Sequence, residues 1–512
     1  MAGLGAARAL EAARALDPSI DWRLYEEEPR LGGKVRSLRR DGFVVEGGPD
    51  SAIIEKPWPI TMARELGIGD RLLDSNEEIR RSFVFAGGRL RELPEGVILM
   101  VPTRLLPFVA SDLVGWSGKA RMSLDLFLPR GGAATGGPVN AVGSALDESL
   151  GDFVRRRLGR QALERIAEPI VAGIHAGDPE HMSVRATFPM FLDMEREHRS
   201  LILAMLRRRR ARQRAAAAAA ATATPGEAPR SYFYSFKGGL QDLSDAAVAA
   251  LPAERLHRGL AVRALRAAAP AVGAEALGAG PAGQAGGYTL ELSDGSRVAA
   301  DAVVLATPAW ASGELLRTVA PRAAASLSAI DYVTTATVSV AFRADDVGHD
   351  LKGFGYVVPR AERRPVMATT WSSSKFAGRA PSGRVLLRSF LGRAGMEAAA
   401  QLDDDEMARV VRAELRDVMG ITAAPQFVEV FRWPRGMPQY RVGHVDLVAR
   451  IEAAVARAPG VELAGGAYHG IGIGDCLREG AAAAARAVEH VRGVARDPLP
   501  LPLHDVPAGD GI

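Results

Sequence analysis

The chain has 512 residues, 47% of them apolar and 24% charged; this excludes wholesale disorder, and the length calls for two or three domains rather than one core. A net charge of +4 is small for such a chain and points to no nucleic-acid partner. The single cysteine, Cys476, excludes a disulfide framework and a cysteine-based zinc site, no apolar run is long enough for a membrane span, and the first residues do not read as a signal peptide.

Leu4 to Leu16 predicts a helix stopped by Asp17-Pro18, and Asp21 to Glu26 a short strand. Phe43 to Glu46 is a strand, and Ile60 to Leu73 is expected to be helical. Phe83-Val84-Phe85 and Arg89-Leu90-Arg91, joined by Gly87-Gly88, predict a hairpin. Pro107 to Arg214 reads as a helical block, interrupted by a loop over Gly131 to Pro138. Within it, Met194 to Arg210 predicts one long amphipathic helix, and Ala215 to Thr224 a low-complexity connection. Ala267 to Gly287, rich in Ala, Gly and Pro, reads as an insertion in a hairpin. Val338 to Arg343, Phe354 to Pro359, Val366 to Trp371 and Val385 to Leu391 are predicted strands. Strand Val461 to Ala464 leads into a glycine loop, helix Glu479 to Val491 closes the fold, and 496–512 is a tail.

Met1-Ala2-Gly3-Leu4-Gly5 entering a helix, then a strand ending at Glu26, resembles the second half of a dinucleotide-binding βαβ unit. A helix N-terminus with glycine suits a pyrophosphate, and an acid about 20 residues on suits ribose hydroxyls. By themselves Gly3 and Glu26 read equally well as a small helix residue and a solvated strand end. Arg30-Leu31-Gly32-Gly33 weighs toward the nucleotide, because its backbone can meet phosphates from the other side; Lys34 faces either phosphate or solvent. Gly47-Gly48-Pro49-Asp50-Ser51 reads as a tight turn or as a loop along a flavin. Gly465 to Cys476 offers a second glycine loop before a helix, whose N–H groups can hold a polarised carbonyl or a negative flavin N1. Cys476 is expected to be a small buried thiol rather than a flavin thioether.

These segments carry a resemblance to the protoporphyrinogen and coproporphyrinogen oxidases over nearly the whole length. It includes Arg30-Leu31-Gly32-Gly33-Lys34, Glu46 to Ser51, and Ala172-Gly173-Ile174-His175-Ala176-Gly177-Asp178-Pro179. It continues through Met182-Ser183, Thr187-Phe188-Pro189, Phe236 to Leu240, Gly353-Phe354-Gly355, Trp433, Pro438-Gln439-Tyr440, Gly443-His444 and Gly470 to Cys476. The first and last motifs are shared with amine oxidases and desaturases. The Ala-Gly-Ile-His-Ala-Gly-Asp-Pro and Pro-Gln-Tyr segments are far more specific to porphyrinogen oxidases.

The resemblance implies one non-covalent FAD per chain, and a six-electron oxidation of a porphyrinogen in three flavin cycles, with oxygen reduced to hydrogen peroxide. It implies FAD contacts at Gly3, Glu26, Glu27, Gly32, Gly33, Lys34, Gly48, Pro49, Asp50, Ser51, Val262, Gly466, Ile471, Gly472 and Ile473. It implies a substrate cavity lined by Gly173, Ile174, His175, Ala176 and Gly177, opposite Gly353, Phe354 and Gly355. No side-chain catalyst and no metal are expected, since the flavin carries the chemistry. His175, His444 and His469 are expected to be structural.

The fold expected is α/β with α+β insertions: a Rossmann-like FAD-binding domain lacking its first strand, with inserted substrate-binding and helical membrane-facing parts. The FAD domain is assigned to 1–85, 236–312 and 435–495, the helical domain to 100–225, and the β-sheet substrate domain to 86–99 and 313–434. Leu201, Ile202, Leu203, Met205 and Leu206, followed by Arg207 to Arg210, read either as a core-packed helix with a cationic end or as a peripheral membrane contact on the cytoplasmic side. A homodimer and a contact with the next haem-pathway enzyme stay open. The segment Thr187 to Arg210 resembles the membrane-associated bacterial enzymes, which tilts the expected substrate toward protoporphyrinogen. Other readings are an amine oxidase or carotenoid desaturase, and a non-catalytic porphyrin binder. The half-motif leads to the expectation that Met1 is an internal methionine, and that a chain without the first strand holds FAD weakly.

Overall fold

The computed structural model describes residues 1–98, 100–131, 147–222, 231–268 and 287–493. Most of the expected Gly131–Pro138 loop, the bulk of the Ala267–Gly287 insertion, and the tail lie outside the described residues.

Helix Ala2–Leu16 runs against the last helix, Ile473–Arg492. Both are alanine-rich, so their backbones approach closely. A Cβ on Gly5 would stand 2.5 Å from the Leu477 carbonyl oxygen, and one on Gly480 2.0 Å from that of Ala2. The last helix begins at Ile473 and not at the expected Glu479, because Asp475 closes a capping box on Gly472. Glycine costs about 1 kcal/mol in a helix interior, but here Gly480 is what permits the contact. Leu4, Ala7, Trp22, Trp58, Met62, Phe236, Leu240 and Leu477 form the core beneath. Two parallel strand pairs lie beside the first helix: Leu24–Glu26 with Leu256–Arg258, and Val303–Leu305 with Val461–Leu463. A Cβ on Gly3 would contact Ala306 at 3.5 Å and Leu24 at 3.9 Å, so the helix start sits between the two pairs.

Seven strands form the large sheet, in the order Phe427–Pro438, Tyr332–Arg343, Arg384–Leu391, Val366–Trp371, Gly355–Val357, Ser82–Ala86, Arg89–Glu92. Neighbours are antiparallel except Gly355–Val357 beside Ser82–Ala86. Strand alternation gives the sheet two chemistries. Val338, Val340, Leu387 and Leu391 pack on Met407, Val411 and Leu415 of helix Asp404–Met419. The other face carries Thr337, Ser339, Arg388, Phe390, Ala368 and Thr370, paired across the ladder as Ser339↔Arg388↔Thr370 and Thr337↔Phe390↔Ala368.

Several expectations are corrected. Only Leu24–Glu26 of the first predicted strand is extended. Helix Trp58–Glu65 ends before Gly67, whose φ of 70° breaks it, and Leu72–Asp74 becomes a strand beside Phe233–Phe236. The single helix over Met194–Arg210 is two, Pro189–His198 and Leu201–Thr222. Arg199 turns left-handed at φ 64°, and the buried Asp125 carboxylate accepts from Ser200 Oγ at 2.6 Å and Ile202 N–H at 3.0 Å. That cap comes from a distant segment, so local periodicity cannot reveal it. The second helix continues through Ala215–Thr222, expected to be a connection, as alanine's helix propensity allows. Leu201, Ile202 and Met205 are buried in the helical core with Phe153, Ile166 and Phe191. The hairpin Ser82–Glu92 lies whole in the large sheet, so the expected domain boundary at 85 falls inside it.

Candidate active site

Four segments distant in sequence meet at the start of the first helix. The backbone of Met1 has Cys476, Glu26, Lys34 and Arg30 around it. The strand end at Glu26 is fixed by Leu260 N–H donating to its carbonyl at 2.9 Å, which brings the Leu260–Val262 turn alongside. Glu27 is exposed and pairs with Arg263 at 3.3 Å. Arg30 folds back, donating to the carbonyls of Leu31 at 2.8 Å and Val35 at 2.9 Å, and so shapes the glycine turn. Gly33 takes a φ of 57° with nothing within 4 Å of where a Cβ would stand, which leaves backbone open to a ligand. Lys34 donates to the Gly436 carbonyl. Amide N–H groups, a lysine and a glutamate around open backbone are groups that could hold a dinucleotide, the cations and amides at phosphate and the carboxylate at ribose hydroxyls.

The Gly47–Ser51 loop is docked onto the polar face of the large sheet. Trp433 Nε1 and Thr337 Oγ1 donate to the Gly47 carbonyl at 2.8 and 3.0 Å, and Arg388 donates to that of Gly48. Gly48 has no room for a side chain, since a Cβ would collide with the Lys34 carbonyl. Lys375 donates to Asp50 Oδ2 and to Ser51 Oγ, each at 3.0 Å. Burial alone would raise the Asp50 carboxyl, but Lys375 and Arg388 hold it well below the usual carboxylate range. Behind it, Glu46 pairs with Arg379 at 3.3 Å.

The second glycine loop is clamped by Tyr440. Its hydroxyl donates to the Gly466 carbonyl and accepts from Gly470 N–H, both at 2.9 Å, and its ring stacks on His444 at 4.1 Å. Gln439 Nε2 donates to the His175 carbonyl at 3.1 Å. The Pro-Gln-Tyr turn thus joins the glycine loop to the His175 segment. At the start of the last helix, the Asp475 carboxylate accepts Gly472 N–H at 3.1 Å and pairs with Lys56. The first N–H of that terminus is therefore already taken.

Gly173, Ile174 and His175 are not loop residues as expected; they form the last turn of helix Glu168–His175, closed by Ala176 at φ 50°. Ala176 clusters with Val333, Met367 and Ala368, against which Val357, Phe390 and Met437 pack. Gly353, Phe354 and Gly355, the predicted opposite wall, are not brought against Gly173. Val357 faces the Gly173 Cα, whereas Gly353 backs onto Phe83 and Trp371 on the far side of the sheet, and Phe354 packs on Phe233. Burial lowers His175 to about 4, with Lys56 adding to the effect, and burial does the same to His444, so both imidazoles are neutral at pH 7. Burial raises the Cys476 thiol, so it stays protonated. Among the described residues no group of His, Cys, Asp and Glu could hold a metal. A surface cleft of about 530 Å³, sharing Arg30 and Trp433 with these segments, lies between Arg36–Leu38 and Glu429–Trp433.

Sequence reasoning singled out Tyr440 and Trp433 only as parts of motifs, and it missed Lys56, Thr337, Lys375 and Arg388. For Thr337 and Arg388 the signal available was weak, single polar residues within otherwise apolar strands; for Lys56, in a bend, and Lys375, ending a short helix, there was none.

The chain matches a family model described as flavin containing amine oxidoreductase over residues 1–488. It is 36% identical to coproporphyrinogen III oxidase of Propionibacterium freudenreichii subsp. freudenreichii, with 89% of this chain and 84% of that protein covered. It is 31% identical to coproporphyrinogen III oxidase of Bacillus subtilis (strain 168), with 92% of each covered. A crystal structure from Exiguobacterium sp. 255-15, provisionally assigned as a protoporphyrinogen oxidase, superposes with a TM-score of 0.75 at 28% identity, covering 94% of this chain and 96% of that one.

Proposed function

The chain belongs to the flavin-containing amine oxidoreductases, and on that premise we propose that it is an FAD-dependent oxidase of a porphyrinogen, with coproporphyrinogen III as its substrate. Similarity to two coproporphyrinogen III oxidases over most of their length supports the substrate class. The observation that carries the assignment to this site is the Gln439–Tyr440 turn, which binds the glycine loop and the His175 carbonyl at once. Protoporphyrinogen, toward which the sequence tilts, is the second reading.

FAD, held without a covalent bond by Gly3, Glu26, Glu27, Gly32 to Lys34, Gly48 to Ser51, Val262, Gly466 and Ile471 to Ile473, supplies the hydride acceptor and the route of electrons to oxygen. The chain's own residues bind and orient. Ala176, Ala368 and Met367 form a buried apolar cluster, and the partly buried Phe390 and Met437 packed on it are the apolar groups nearest to a flat macrocycle in this reading. His175 is neutral and buried, so it neither repels a cationic intermediate nor supplies a proton from its ring at pH 7. Protons leaving the pyrrole nitrogens therefore pass to solvent, and no side-chain base is assigned. The two parallel strand pairs that flank Gly3 support the Rossmann-like reading.

A peripheral contact with anionic membrane on the cytoplasmic side is also proposed. Its surface moves from Leu201–Leu206 to the exposed Leu106, Val109, Trp116, Leu124 and Phe127. No described helix is long and apolar enough to cross a membrane. Sedimentation with anionic vesicles at low salt tests the contact, and a supernatant holding all the protein rejects it.

The decisive assay loads the protein with FAD and follows porphyrin fluorescence and peroxide from each porphyrinogen side by side. Faster turnover of coproporphyrinogen III is expected. Turnover of amines with neither porphyrinogen consumed would overturn the proposal.

A further inference from the structure

Five cationic side chains are buried among the described residues, and four have a carboxylate partner. Arg157 pairs with Asp125, Arg379 with Glu46, Arg393 with Glu168 and Lys375 with Asp50. Arg388 has none within 4.0 Å, although it is 2% exposed. Its two ladder neighbours, Ser339 and Thr370, carry hydroxyls rather than acids. Its guanidinium donates to the Gly48 carbonyl and sits 4.6 Å from the centre of the Phe390 ring, while its Nε finds no hydrogen-bond partner. Asp50 and Glu46 act on it only from a distance, and burial lowers its affinity for its proton. A buried charge without a counter-ion is costly, and removing one partner of a buried pair is strongly destabilising. An uncompensated buried cation is therefore kept where something else supplies the negative charge.

Arg388 lies between the Gly48 loop, assigned to the flavin, and Phe390, in the wall of the Ala176 cluster. We propose that Arg388 stabilises the negative charge that the flavin gains when it accepts a hydride, and thereby raises the reduction potential of this enzyme's cofactor. This rests on the reading that FAD occupies the site bounded by Gly48. The balance is simple. A substrate C–H bond breaks, its two electrons and one proton arrive together on the flavin as hydride, the flavin is reduced by two electrons, and its ring system becomes more negative by one charge. A fixed cation across Gly48 favours that product state over the oxidised flavin without moving during the reaction. The cluster Glu46, Asp50, Lys375, Arg379 and Arg388 holds three cations against two carboxylates, so the neighbourhood keeps a positive excess even with every pair formed.

Sulfite is the probe, because it adds to oxidised flavin and leaves a negative charge on the ring. The flavin-loaded parent, Arg388→Met, Arg388→Lys and Ser339→Asp proteins are titrated with sulfite, and their flavin midpoint potentials are measured. Arg388→Met removes the charge. Ser339→Asp keeps the arginine but places a carboxylate directly opposite it on the neighbouring strand. Both are expected to bind sulfite about tenfold more weakly and to have lower potentials, as one unit charge acting across a protein interior gives. Arg388→Lys is expected to stay near the parent, which separates charge from packing. Should Arg388→Met not fold, Ser339→Asp and Arg388→Lys carry the test.

Equal sulfite affinity and potential in parent and charge-altered proteins would overturn the proposal. So would an unchanged potential with weaker binding of coproporphyrin, which would make Arg388 a carboxylate-binding residue instead. If the parent takes up no FAD under any condition, the proposed function fails, and the role of Arg388 fails with it.

Discussion

Replacing Tyr440 by Phe isolates the clamp on the second glycine loop. The change keeps the ring and its stacking on His444, but removes the oxygen that accepts from Gly470 N–H and donates to the Gly466 carbonyl, each at 2.9 Å. Two backbone groups then lose their partner. Leaving a buried polar group unpaired costs about 1–3 kcal/mol. Gly466 and Gly470 are half-buried, so the lower end applies to each, or about 2 kcal/mol together. If the loop holds the flavin only in its clamped form, that energy is drawn from FAD affinity and weakens it about thirtyfold. Flavin fluorescence titration of the apo protein measures this, and urea unfolding separates loop from global effects. The phenol is raised far above its ordinary value, chiefly by burial, so it stays protonated and the clamp should persist past pH 10. FAD affinity of Tyr440→Phe within twofold of the parent, at unchanged stability, would refute the reasoning.

The remaining predictions follow from the same geometry. Gly480→Ala forces a Cβ against the Ala2 carbonyl and should destabilise the protein by about 1–3 kcal/mol, read as a lower melting temperature; an unchanged melting curve would mean that the helix crossing yields freely. Lys375→Met strips Asp50 of its direct partner, and a loss of about 3–5 kcal/mol is expected in denaturant unfolding, partly restored by the second change Asp50→Asn. His175 and His444 are both lowered to about 4, so the unfolded chain binds more protons than the folded one between pH 6.5 and 4. Stability should thus be complete above pH 6.5 and fall as the pH drops toward 4, on the order of 3 kcal/mol per histidine; a flat profile over that window would contradict the buried neutral assignment.

The order of elements was largely legible in the chain. Strand-favouring composition located Val366–Trp371, and Gly87-Gly88 located the hairpin Ser82–Glu92. Errors arose where a distant group decides. Asp125 cuts the helix at Arg199–Ser200, and no local pattern places that carboxylate there. The site followed the same division. Motifs marked Gly47–Ser51 and Gly466–Ile473 because backbone packed this closely against Phe431, Lys34 and Asp475 needs glycine, and runs of glycine are visible in sequence.

Motif resemblance thus pointed to the flavoprotein family, and glycine-rich motifs marked the candidate segments for a nucleotide. Tertiary structure decided which side chains serve those segments. Tyr440 and Gln439 became a clamp and Arg388 a buried cation without a carboxylate only through ladder register and burial. The physical reason is that a charge or hydroxyl acquires its meaning from what surrounds it. Those surroundings come from strands hundreds of residues away, whose pairing no local pattern encodes.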